Sequence, residues 1–386
     1  MAEFDIIVVG AGPAGSAAAT WAAKNGARVA LIDKASFPRS KLCGGLFTER
    51  SRRYFREIFG ADIDLSQAVT RTSCALWYQG EELATLQDVP PLHLTMRLDI
   101  DAQMFAHACA AGVADFTGHT ITEMTDTSVT FRNGDTLTCR VLIGADGVSS
   151  IVARHLFGKA FDTKTIGFGL EIEAPLALQN PEAQPLRIDF AAARWGYGWS
   201  FPKQGSTTVG VGGIRAENPD MKAHMAAYLR TLGLPEDVAK FKGHHLPFGD
   251  FRKVPGRASV LLAGDAAGMV DPITGEGIAF AMKSGQLAAQ AACEALREEA
   301  PASALPRYQN ALKEMHRNLR IARNLRRALF GPRWQKPLMA SFKRSGTVRM
   351  MYMQLLAGQV EYPALTRRII TRLPTYLFRA LTSPQK

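Results

Sequence analysis

The first 33 residues of this 386-residue chain carry a glycine pattern that strongly restricts the fold. In DIIVVGAGPAGSAAATWAAKNGARVALIDK, an apolar run over residues 5–9 precedes Gly10, Gly12 and Gly15, and a small-residue helix leads to a second apolar run ending at Asp33. Gly10 permits a tight turn, Gly12 lets a diphosphate approach the backbone, and Gly15 lets helix and strand pack closely. Unpaired N–H groups at the start of the helix favour an anion there. The pattern predicts a Rossmann-type unit that binds a dinucleotide, with Asp33 placed for ribose hydroxyls.

Two distant segments extend this unit. VLIGADGVSSIVAR reads as a buried strand followed by Asp146, and ASVLLAGDAAGMVDPITGEGIAFAMKSG as another strand followed by Asp265, a turn at Pro272 and a long helix. Together with the first motif, these segments resemble the FAD-dependent enzymes of the aromatic-hydroxylase fold over residues 1 to about 300. A second glycine motif of the same kind is missing, so we expect no separate domain for a tightly bound NAD(P).

The resemblance implies an FAD site. Asp265 would bind the ribityl or pyrophosphate region, the helix that starts near Gly277 would direct its N-terminus at the N1/O2 edge of the flavin, and Arg97 would contact the flavin. A positive helix end at that edge suits a reduced flavin, which is anionic at N1. The residues predicted to bind the cofactor are Gly10, Gly12, Pro13, Ala14, Gly15, Asp33, Lys34, Lys41, Cys43, Gly44, Arg97, Asp146, Gly264, Asp265, Pro272, Gly275, Glu276, Gly277 and Ile278.

Between the two later segments the hydrophobic pattern has a period of two, which indicates sheet. The predicted fold class is α/β: a Rossmann-type FAD-binding domain interleaved with a mainly antiparallel substrate domain, followed by a helical C-terminal region. The predicted domain ranges are 1–75, 96–160 and 255–300 for FAD, 76–95 and 161–254 for the substrate, and 301–386 for the basic helical region.

The segment WGYGWSFP has an uneven distribution of side chains. Trp195, Tyr197, Trp199 and Phe201 fall on one face of the predicted strand, whereas the other face carries Gly196, Gly198 and Ser200. A strand stripped on one face lets another body come close, whether backbone, flavin or ligand. Ordinary packing of the aromatic residues in a core is the alternative.

Three segments in combination, FPRSKLCGG, GYGWSFPK and GDAAGMVDPITGEGIAFAMKSG, resemble the geranylgeranyl reductase family, whose members reduce isolated double bonds of polyprenyl chains. Gly268 stands where the hydroxylase branch typically has a histidine, and Asp33 stands where FAD proteins more often have glutamate. The resemblance implies that Tyr197, Trp199, Phe201, Pro202 and Gly45 line the substrate cavity, with Tyr197 and Trp199 serving catalysis as its wall.

By the same resemblance, Cys43 lies beside the flavin on a loop that lines the cavity. We predict a catalytic role for it, since either Cys43 or an ordered water would relay the proton that alkene reduction needs. Gly44 and Gly45 would let the backbone run close to the ring. Arg39 and Lys41 would either lower the pKa of the thiol or bind phosphate, and the sequence leaves both open. A plain packing role for Cys43 also stays open, because free cysteines are commonly buried and inert. His244 and His245 are expected to be ordinary surface or loop residues.

The net charge of +11 is concentrated at one end of the chain. Residues 301–386 contain 13 arginines and 4 lysines against two glutamates, so the rest of the chain is slightly acidic. Apolar residues at helical spacing accompany this charge, namely Leu312, Met315, Leu319, Ala322 and Leu329, with Arg317, Arg320, Arg323, Arg326 and Arg327 largely on the other sides. Such a helix suits an anionic membrane surface or a partner protein, and packing on its own protein is the alternative. No recognition motif for nucleic acid accompanies the charge.

The five scattered cysteines form no CxxC pair, which argues against a disulfide framework or a metal site and favours a reducing compartment. Acidic residues precede the N-terminal apolar run, so we expect no export signal and a cytoplasmic protein, peripheral at the inner face of the membrane if the basic region binds there.

Three functions follow from these patterns. The first is an FAD-dependent reductase of prenyl or other apolar C=C bonds, with NAD(P)H or a ferredoxin-like carrier as a transient electron donor. The second is an FAD-dependent monooxygenase acting through a C4a-hydroperoxide on a small molecule or a protein. The third is a flavin-containing assembly or membrane-binding protein. Fold alone does not separate them, because function is carried by the site.

Overall fold

The chain was analysed as a computed structural model, which describes residues 2–175, 184–248 and 250–369. The strands, numbered in chain order, are β1 (Ala2–Val9), β2 (Val29–Asp33), β3 (Leu46–Phe47), β4 (Val69–Arg71), β5 (Cys74–Tyr78), β6 (Glu81–Leu86), β7 (Leu92–Leu94), β8 (Ala114–Thr117), β9 (Ile121–Met124), β10 (Ser128–Phe131), β11 (Thr136–Gly144), β12 (Gly167–Pro175), β13 (Leu186–Asp189), β14 (Tyr197–Pro202), β15 (Ser206–Ile214), β16 (Lys242–Leu246), β17 (Gly256–Arg257) and β18 (Val260–Leu262).

The helices, numbered in the same way, are α1 (Pro13–Lys24), α2 (Glu49–Phe59), α3 (Arg97–Ala110), α4 (Ile151–Phe157), α5 (Met221–Thr231), α6 (Ile278–Arg297), α7 (Ala304–Ala311), α8 (Lys313–Phe330), α9 (Pro332–Arg344) and α10 (Gly346–Leu356). Residues 362–369 are also helical.

The first sheet has the order β17-β18-β11-β1-β2-β8, with β10 and β9 attached to β11. β1 runs parallel to both β11 and β2, as a strand that feeds a helix and returns to the same sheet must. Its residues Ile6, Ile7 and Val8 are fully buried, because helices cover both faces of a parallel sheet. The carboxyl ends of β1, β2 and β11 therefore meet at one edge, where the glycine turn lies.

The second sheet has the order β16-β12-β15-β14-β13-β5-β6 and is antiparallel apart from the β13–β5 pair. Its strands come from residues 74–86 and 167–246, whereas the first sheet takes strands from residues 2–33, 114–144 and 256–262. The chain thus crosses repeatedly between the two sheets. A short third sheet, β3-β7-β4, takes its strands from either side of β5 and β6 in the sequence. The α/β class with an interleaved antiparallel sheet and C-terminal helices is confirmed.

The C-terminal helices pack on both sheets: Leu312, Met315 and Leu319 join the core of the first sheet, and Ala322 and Leu329 join that of the second. The apolar positions predicted for α7 and α8, Leu312, Met315, Leu319, Ala322 and Leu329, are all buried. Arg326 was expected among the solvated arginines, but it is only 6% exposed. Its guanidinium donates to the carbonyls of Phe248, at 2.9 Å, and Trp195, at 3.3 Å, which a shorter polar residue would not reach.

The last part of the predicted basic region, from residue 370 onward, lies outside the described residues. Among the helices that are described, none combines the length and the apolar character needed to cross a membrane.

Candidate active site

The glycine turn after β1 has the predicted shape. Gly10 has a φ of +100°, and a Cβ there would lie 2.7 Å from the Asp146 Cα. A Cβ on Gly15 would lie 2.8 Å from the carbonyl carbon of Gly10, so only glycine lets α1 start this close to β1. A Cβ on Gly12 would lie 3.4 Å from a guanidinium nitrogen of Arg39 and 3.9 Å from one of Arg97. The backbone at Gly12 is therefore bare and faces two cations, as a diphosphate requires.

Asp33 lies at the carboxyl end of β2 beside this turn. Its two oxygens accept hydrogen bonds from the Ala11 and Ala35 N–H groups, each at 2.9 Å. These bonds fix the carboxylate and leave lone pairs for a ribose hydroxyl. Lys34 is exposed.

Pro13 and Ala14 form the first turn of α1. Ala14 packs against α6, since a Cβ on Gly285 would lie 2.9 Å from the carbonyl carbon of Ala14. A Cβ on Gly264 would lie 2.9 Å from the Ala14 Cβ. Gly264 and Gly285 thus let the start of α1 pack against the end of β18 and the middle of α6, and the contribution of Ala14 to a ligand site is limited to its backbone.

A cationic cluster surrounds Gly12. Arg97 donates to both oxygens of Asp101, at 2.6 and 2.7 Å, and Arg39 Nη1 lies 3.3 Å from Asp101 Oδ2 without forming a hydrogen bond. Burial, together with the positive charge of Arg97, lowers the pKa of Lys41. Burial also raises the pKa of Asp265, although Lys41 and Arg97 oppose that shift. A bound diphosphate would supply the negative charge that these cations lack.

The turn between β18 and α6 brings the remaining predicted cofactor residues to the same place. Gly277 directly precedes the first residue of α6, Ile278, and no side chain among residues 2–175, 184–248 and 250–369 caps the N-terminal N–H groups of that helix. A Cβ on Gly277 would lie 3.7 Å from Asp265 Oδ1, so the acid stands beside the positive end of the helix. Pro272 is buried in the turn, and Gly275 has a φ of +73°.

Two predicted cofactor carboxylates have other partners. Asp146 accepts from the Ser150 hydroxyl, at 2.5 Å, and from the Ile151 N–H, at 2.6 Å, and so closes the start of α4. Glu276 forms a buried ion pair with Arg50 and accepts from the Thr48 hydroxyl. The side chains of Asp146 and Glu276 are therefore each held by partners within the protein. The sequence shows an acid at each position but not its partner.

This ion pair belongs to a network that joins the C-terminal region to the turn Asp271–Gly277, the flavin-side turn. Arg50, 1% exposed, also binds Glu361, at 2.9 Å. The Tyr362 hydroxyl donates to the carboxylate of Asp271, whose Oδ1 accepts from the Ile273 N–H at 2.7 Å. Residues 361 and 362 thereby hold the Asp271–Gly277 turn, a contact that nothing in the sequence indicates.

On the second sheet, Tyr197, Trp199 and Phe201 share one face of β14, as predicted. The Trp199 ring lies over a bed of glycines on the neighbouring strands: Cβ atoms on Gly212 and Gly169 would lie 3.3 and 3.6 Å from it. Tyr197 donates its hydroxyl to the Thr274 carbonyl, at 2.6 Å, and burial raises its pKa. The aromatic face thus meets the Asp271–Gly277 turn directly.

Other parts of the protein approach the opposite face of β14 closely, so of the neighbours that the sequence left open there, backbone, flavin or ligand, the structure shows the protein itself. A Cβ on Gly198 would lie 2.6 Å from the Ala192 Cβ and 2.9 Å from the Tyr228 ring of α5. Gly196 packs against the backbone of β15, where its Cβ would lie 2.5 Å from the Gly213 Cα. The small residues make room for a helix and for a neighbouring strand.

Cys43 and Gly44 lie against the aromatic face. A Cβ on Gly44 would lie 3.0 Å from the Phe201 ring and 3.5 Å from Trp199 Nε1, and that buried indole N–H has no hydrogen-bond partner in the described part of the chain. The Cys43 Sγ accepts from the Gly45 N–H, at 3.4 Å. Gly45 packs against Thr95. The Gly45 carbonyl accepts from the Thr95 N–H, at 2.8 Å, and from the Thr95 hydroxyl, at 2.9 Å. Pro202 is buried at the end of β14.

Three polar residues of the same face were missed or misplaced by the sequence. The Cys43 N–H donates to Glu171 Oε1 on β12, at 2.8 Å. Lys203, 3% exposed, lies 3.9 Å from Glu173 and 3.4 Å from the Met96 sulfur. His244, expected on the surface or in a loop, lies half-buried on β16, and burial with the charge of Lys41 lowers its pKa to about 4. Only the alternation of GFGLEIEA marks Glu171 as facing one side of the sheet with Gly169.

The residues present fit FAD. The bare backbone at Gly12, the cations Arg39, Lys41 and Arg97, and the open N-terminus of α6 stand in the order of a diphosphate followed by a flavin ring. The site continues from Gly12 along Cys43–Gly44 to the aromatic face of β14. A cavity of about 190 Å³ lies beside Asp265 and Ala266, and residues 159–162 and 250–252 line its other sides.

Comparison with known proteins agrees with this geometry. Residues 3–177 match the model of an FAD binding domain, and residues 213–351 match the model of the lycopene cyclase protein family. The geranylgeranyl diphosphate reductase of Rhodobacter capsulatus is 31% identical over 317 residues, covering 78% of each chain. The menaquinone reductase of Mycolicibacterium smegmatis is 30% identical over 328 residues, covering 74% of this chain and 75% of that protein.

Among solved structures, a geranylgeranyl bacteriochlorophyll reductase-like protein of Thermoplasma acidophilum has the same fold. It superposes with a TM-score of 0.78 at 22% identity, covering 96% of this chain and 99% of that one. With the site geometry and the relatives together, the chain belongs to the geranylgeranyl reductase family of FAD-dependent oxidoreductases.

Proposed function

We propose that this oxidoreductase reduces C=C bonds of a polyprenyl or similarly apolar chain. The observation that carries the proposal is the aromatic face of Tyr197, Trp199 and Phe201, which meets both the flavin-side turn and the Cys43–Gly44 segment. An aromatic wall of this kind suits an apolar substrate and excludes water from it. The names of the Rhodobacter and Mycolicibacterium relatives, which refer to a prenyl diphosphate and a prenylated quinone, support the same substrate class.

Reduced FAD, when bound, supplies a hydride to one carbon of the double bond. The chain's own residues do the rest. Gly12, Arg39 and Arg97 would bind the diphosphate, the N-terminus of α6 would stabilise negative charge at the ring, and Trp199 with Phe201 would hold the alkene in a dry, near-attack position. An isolated alkene has no carbonyl to activate it, so a proton must reach the other carbon from a side chain, with Cys43 beside the path. NAD(P)H or a ferredoxin-like carrier would bind transiently as the electron donor.

Anaerobic turnover tests the proposal. Purified enzyme with reduced FAD and geranylgeranyl diphosphate is expected to yield products heavier by two hydrogens for each bond reduced, as measured by mass spectrometry. Unchanged substrate, together with oxygen insertion when air is admitted and a long-lived peroxyflavin spectrum, would support the monooxygenase alternative instead.

We further propose that the basic face of α8 and α9 rests on an anionic membrane surface, from which such a substrate is drawn. The exposed cations of these helices are Lys313, Arg317, Arg320, Arg323, Arg327, Arg333, Lys336, Lys343 and Arg344, against the exposed acid Glu314. Trp334, 55% exposed, lies among them. Cations around an exposed indole match the charge and the depth of a lipid headgroup layer.

A further inference from the structure

Glu171 stands in the middle of the proposed substrate face. It pairs with Gly210 across β12 and β15, and Gly210 pairs with Trp199 across β15 and β14, so all three side-chain positions share one face in one row. Since Gly210 has no side chain, the Trp199 indole covers it, and the carboxyl of Glu171 holds the next position in the row.

The carboxyl of Glu171 has one occupied and one vacant oxygen. The residue is 4% exposed; its Oε1 accepts from the Cys43 N–H at 2.8 Å, whereas its Oε2 is buried and has no hydrogen-bond partner among the described residues. Trp199 Nε1 is also buried without a partner. An unpaired buried oxygen is costly, and binding a proton reduces that cost. The geometry holds a carboxyl group beside Cys43 with one oxygen unused by the protein.

The charged groups that face Glu171 come from three directions. Burial raises the pKa of Glu171 to about 7; Lys203, the Cys43 N–H and Lys41 work against this shift, and Glu173 adds to it. On β16, Lys242 is paired in register with Glu171 and is exposed, and half-buried His244 lies across from Gly169. Near neutral pH, then, a substantial share of Glu171 carries a proton.

We infer that Glu171 is a catalytic acid of the proposed reduction and protonates the alkene carbon that does not receive the hydride. This inference rests on the proposed function. The π bond breaks, one carbon gains the hydride supplied by reduced FAD, and the other gains the proton of Glu171 Oε2. Two C–H bonds form, FAD is left oxidised, and Glu171 is left as a carboxylate. Solvent returns the proton, and the transient electron donor returns the electrons.

Glu171→Gln tests the assignment, because an amide oxygen still accepts from the Cys43 N–H but has no acidic proton. The matched control is Glu173→Gln, two residues along the same face, where the carboxylate accepts from the Ser206 and Thr208 hydroxyls, each at 2.8 Å. We expect Glu171→Gln to bind FAD normally and to lose about 100-fold or more in anaerobic turnover of geranylgeranyl diphosphate. Glu173→Gln is expected to stay within a few-fold of wild type. Equal turnover in the wild type and Glu171→Gln overturns the inference.

A second readout does not depend on turnover. The FAD-loaded protein without substrate is titrated by infrared difference spectroscopy, wild type against Glu171→Gln. A protonated carboxyl band is expected in the wild type below neutral pH, fading as pH rises through about 7. If the two proteins give the same band at every pH, Glu171 is not a proton carrier and the inference is wrong. If the wild type shows the band but reduces no polyprenyl substrate, the proposed function fails separately, and with it the catalytic role.

Discussion

The indole of Trp199 fills the space above Gly210, so that a Cβ on that glycine would lie 2.5 Å from Cε2 and closer still to Cζ2. Gly210→Ala must therefore displace the ring from the wall of the site. We expect a loss of about 1–3 kcal/mol in the free energy of unfolding, as overpacking of a core typically costs, and a sharp fall in turnover. Urea denaturation and steady-state assays measure the two effects.

Gly169→Ala is the matched control. Gly169 lies on the same face of the neighbouring strand, but a Cβ there would meet Leu246 and the Trp199 ring at 3.5 and 3.6 Å, an ordinary contact distance. Equal losses in both variants would mean that any methyl group on this face is harmful, and that the Trp199–Gly210 contact has no special role.

The sequence predicted the parts of this site that depend on local pattern. The turn at Gly10, Gly12 and Gly15 is fixed by neighbours within a few residues, so spacing alone identified it. The partner of each strand is not local. Whether the bare face of β14 meets a ligand or α5 depends on where Tyr228 packs, and that is set 30 residues away.

The same reason explains why Glu171 was missed. An acid in an alternating strand is unremarkable until the register places it beside Gly210 and Trp199. Likewise, the resemblance places Asp146 and Glu276 among the predicted cofactor residues without showing what else they bind. Their partners, Ser150 and Arg50, are visible only in three dimensions.

Removing one hydroxyl from the C-terminal network is expected to loosen the flavin-side turn. In Tyr362→Phe, the buried carboxylate of Asp271 keeps its backbone N–H partners but loses the tyrosine hydroxyl. A buried charge left short of one donor costs about 1–3 kcal/mol. We predict lower stability to denaturant and faster release of FAD. The rise of free-flavin fluorescence measures the release. Tyr352→Phe is the control, since Tyr352 is also buried but its hydroxyl forms no hydrogen bond within the described residues. Similar release rates in the two variants would mean that the network does not contribute to cofactor binding.

Arg39 is the cation nearest to the bare backbone of Gly12. Arg39→Ala removes a charge from the diphosphate site while Arg97 continues to pair with Asp101, so the fold is preserved. A charge-assisted hydrogen bond contributes about 1.5–3 kcal/mol, so FAD affinity should fall about 10-fold or more. Isothermal titration of the apoprotein measures the change. The control Arg28→Ala removes an exposed arginine that pairs with Asp5 on β1, and FAD affinity there should be unchanged; an equal loss in both would point to net charge rather than to the site.

Cys43→Ala separates a chemical role of the thiol from packing. The Cys43 N–H bond to Glu171 does not depend on the side chain, so FAD content and fold are expected to persist. Turnover should fall if the thiol lies on the proton path, and Cys109→Ala, an exposed cysteine on α3, should have wild-type turnover. Wild-type turnover in Cys43→Ala would assign the residue to packing and leave Glu171 as the proton source.

The basic face of α8 and α9 is tested on vesicles that contain anionic lipid. Each basic residue near such a surface contributes about 1 kcal/mol, so Arg333→Ala with Lys336→Ala should weaken binding about 30-fold. Cosedimentation at low and high salt measures the affinity, and salt should weaken the wild type because the attraction is screened. The control pair Lys222→Ala and Lys240→Ala removes two exposed lysines from the α5 region of the second domain. If both pairs lower the affinity for vesicles alike, the attraction follows net charge and not this face. If the wild type stays in the supernatant with anionic vesicles, the membrane proposal is wrong. Anaerobic turnover of a soluble prenyl diphosphate would be unaffected by that result.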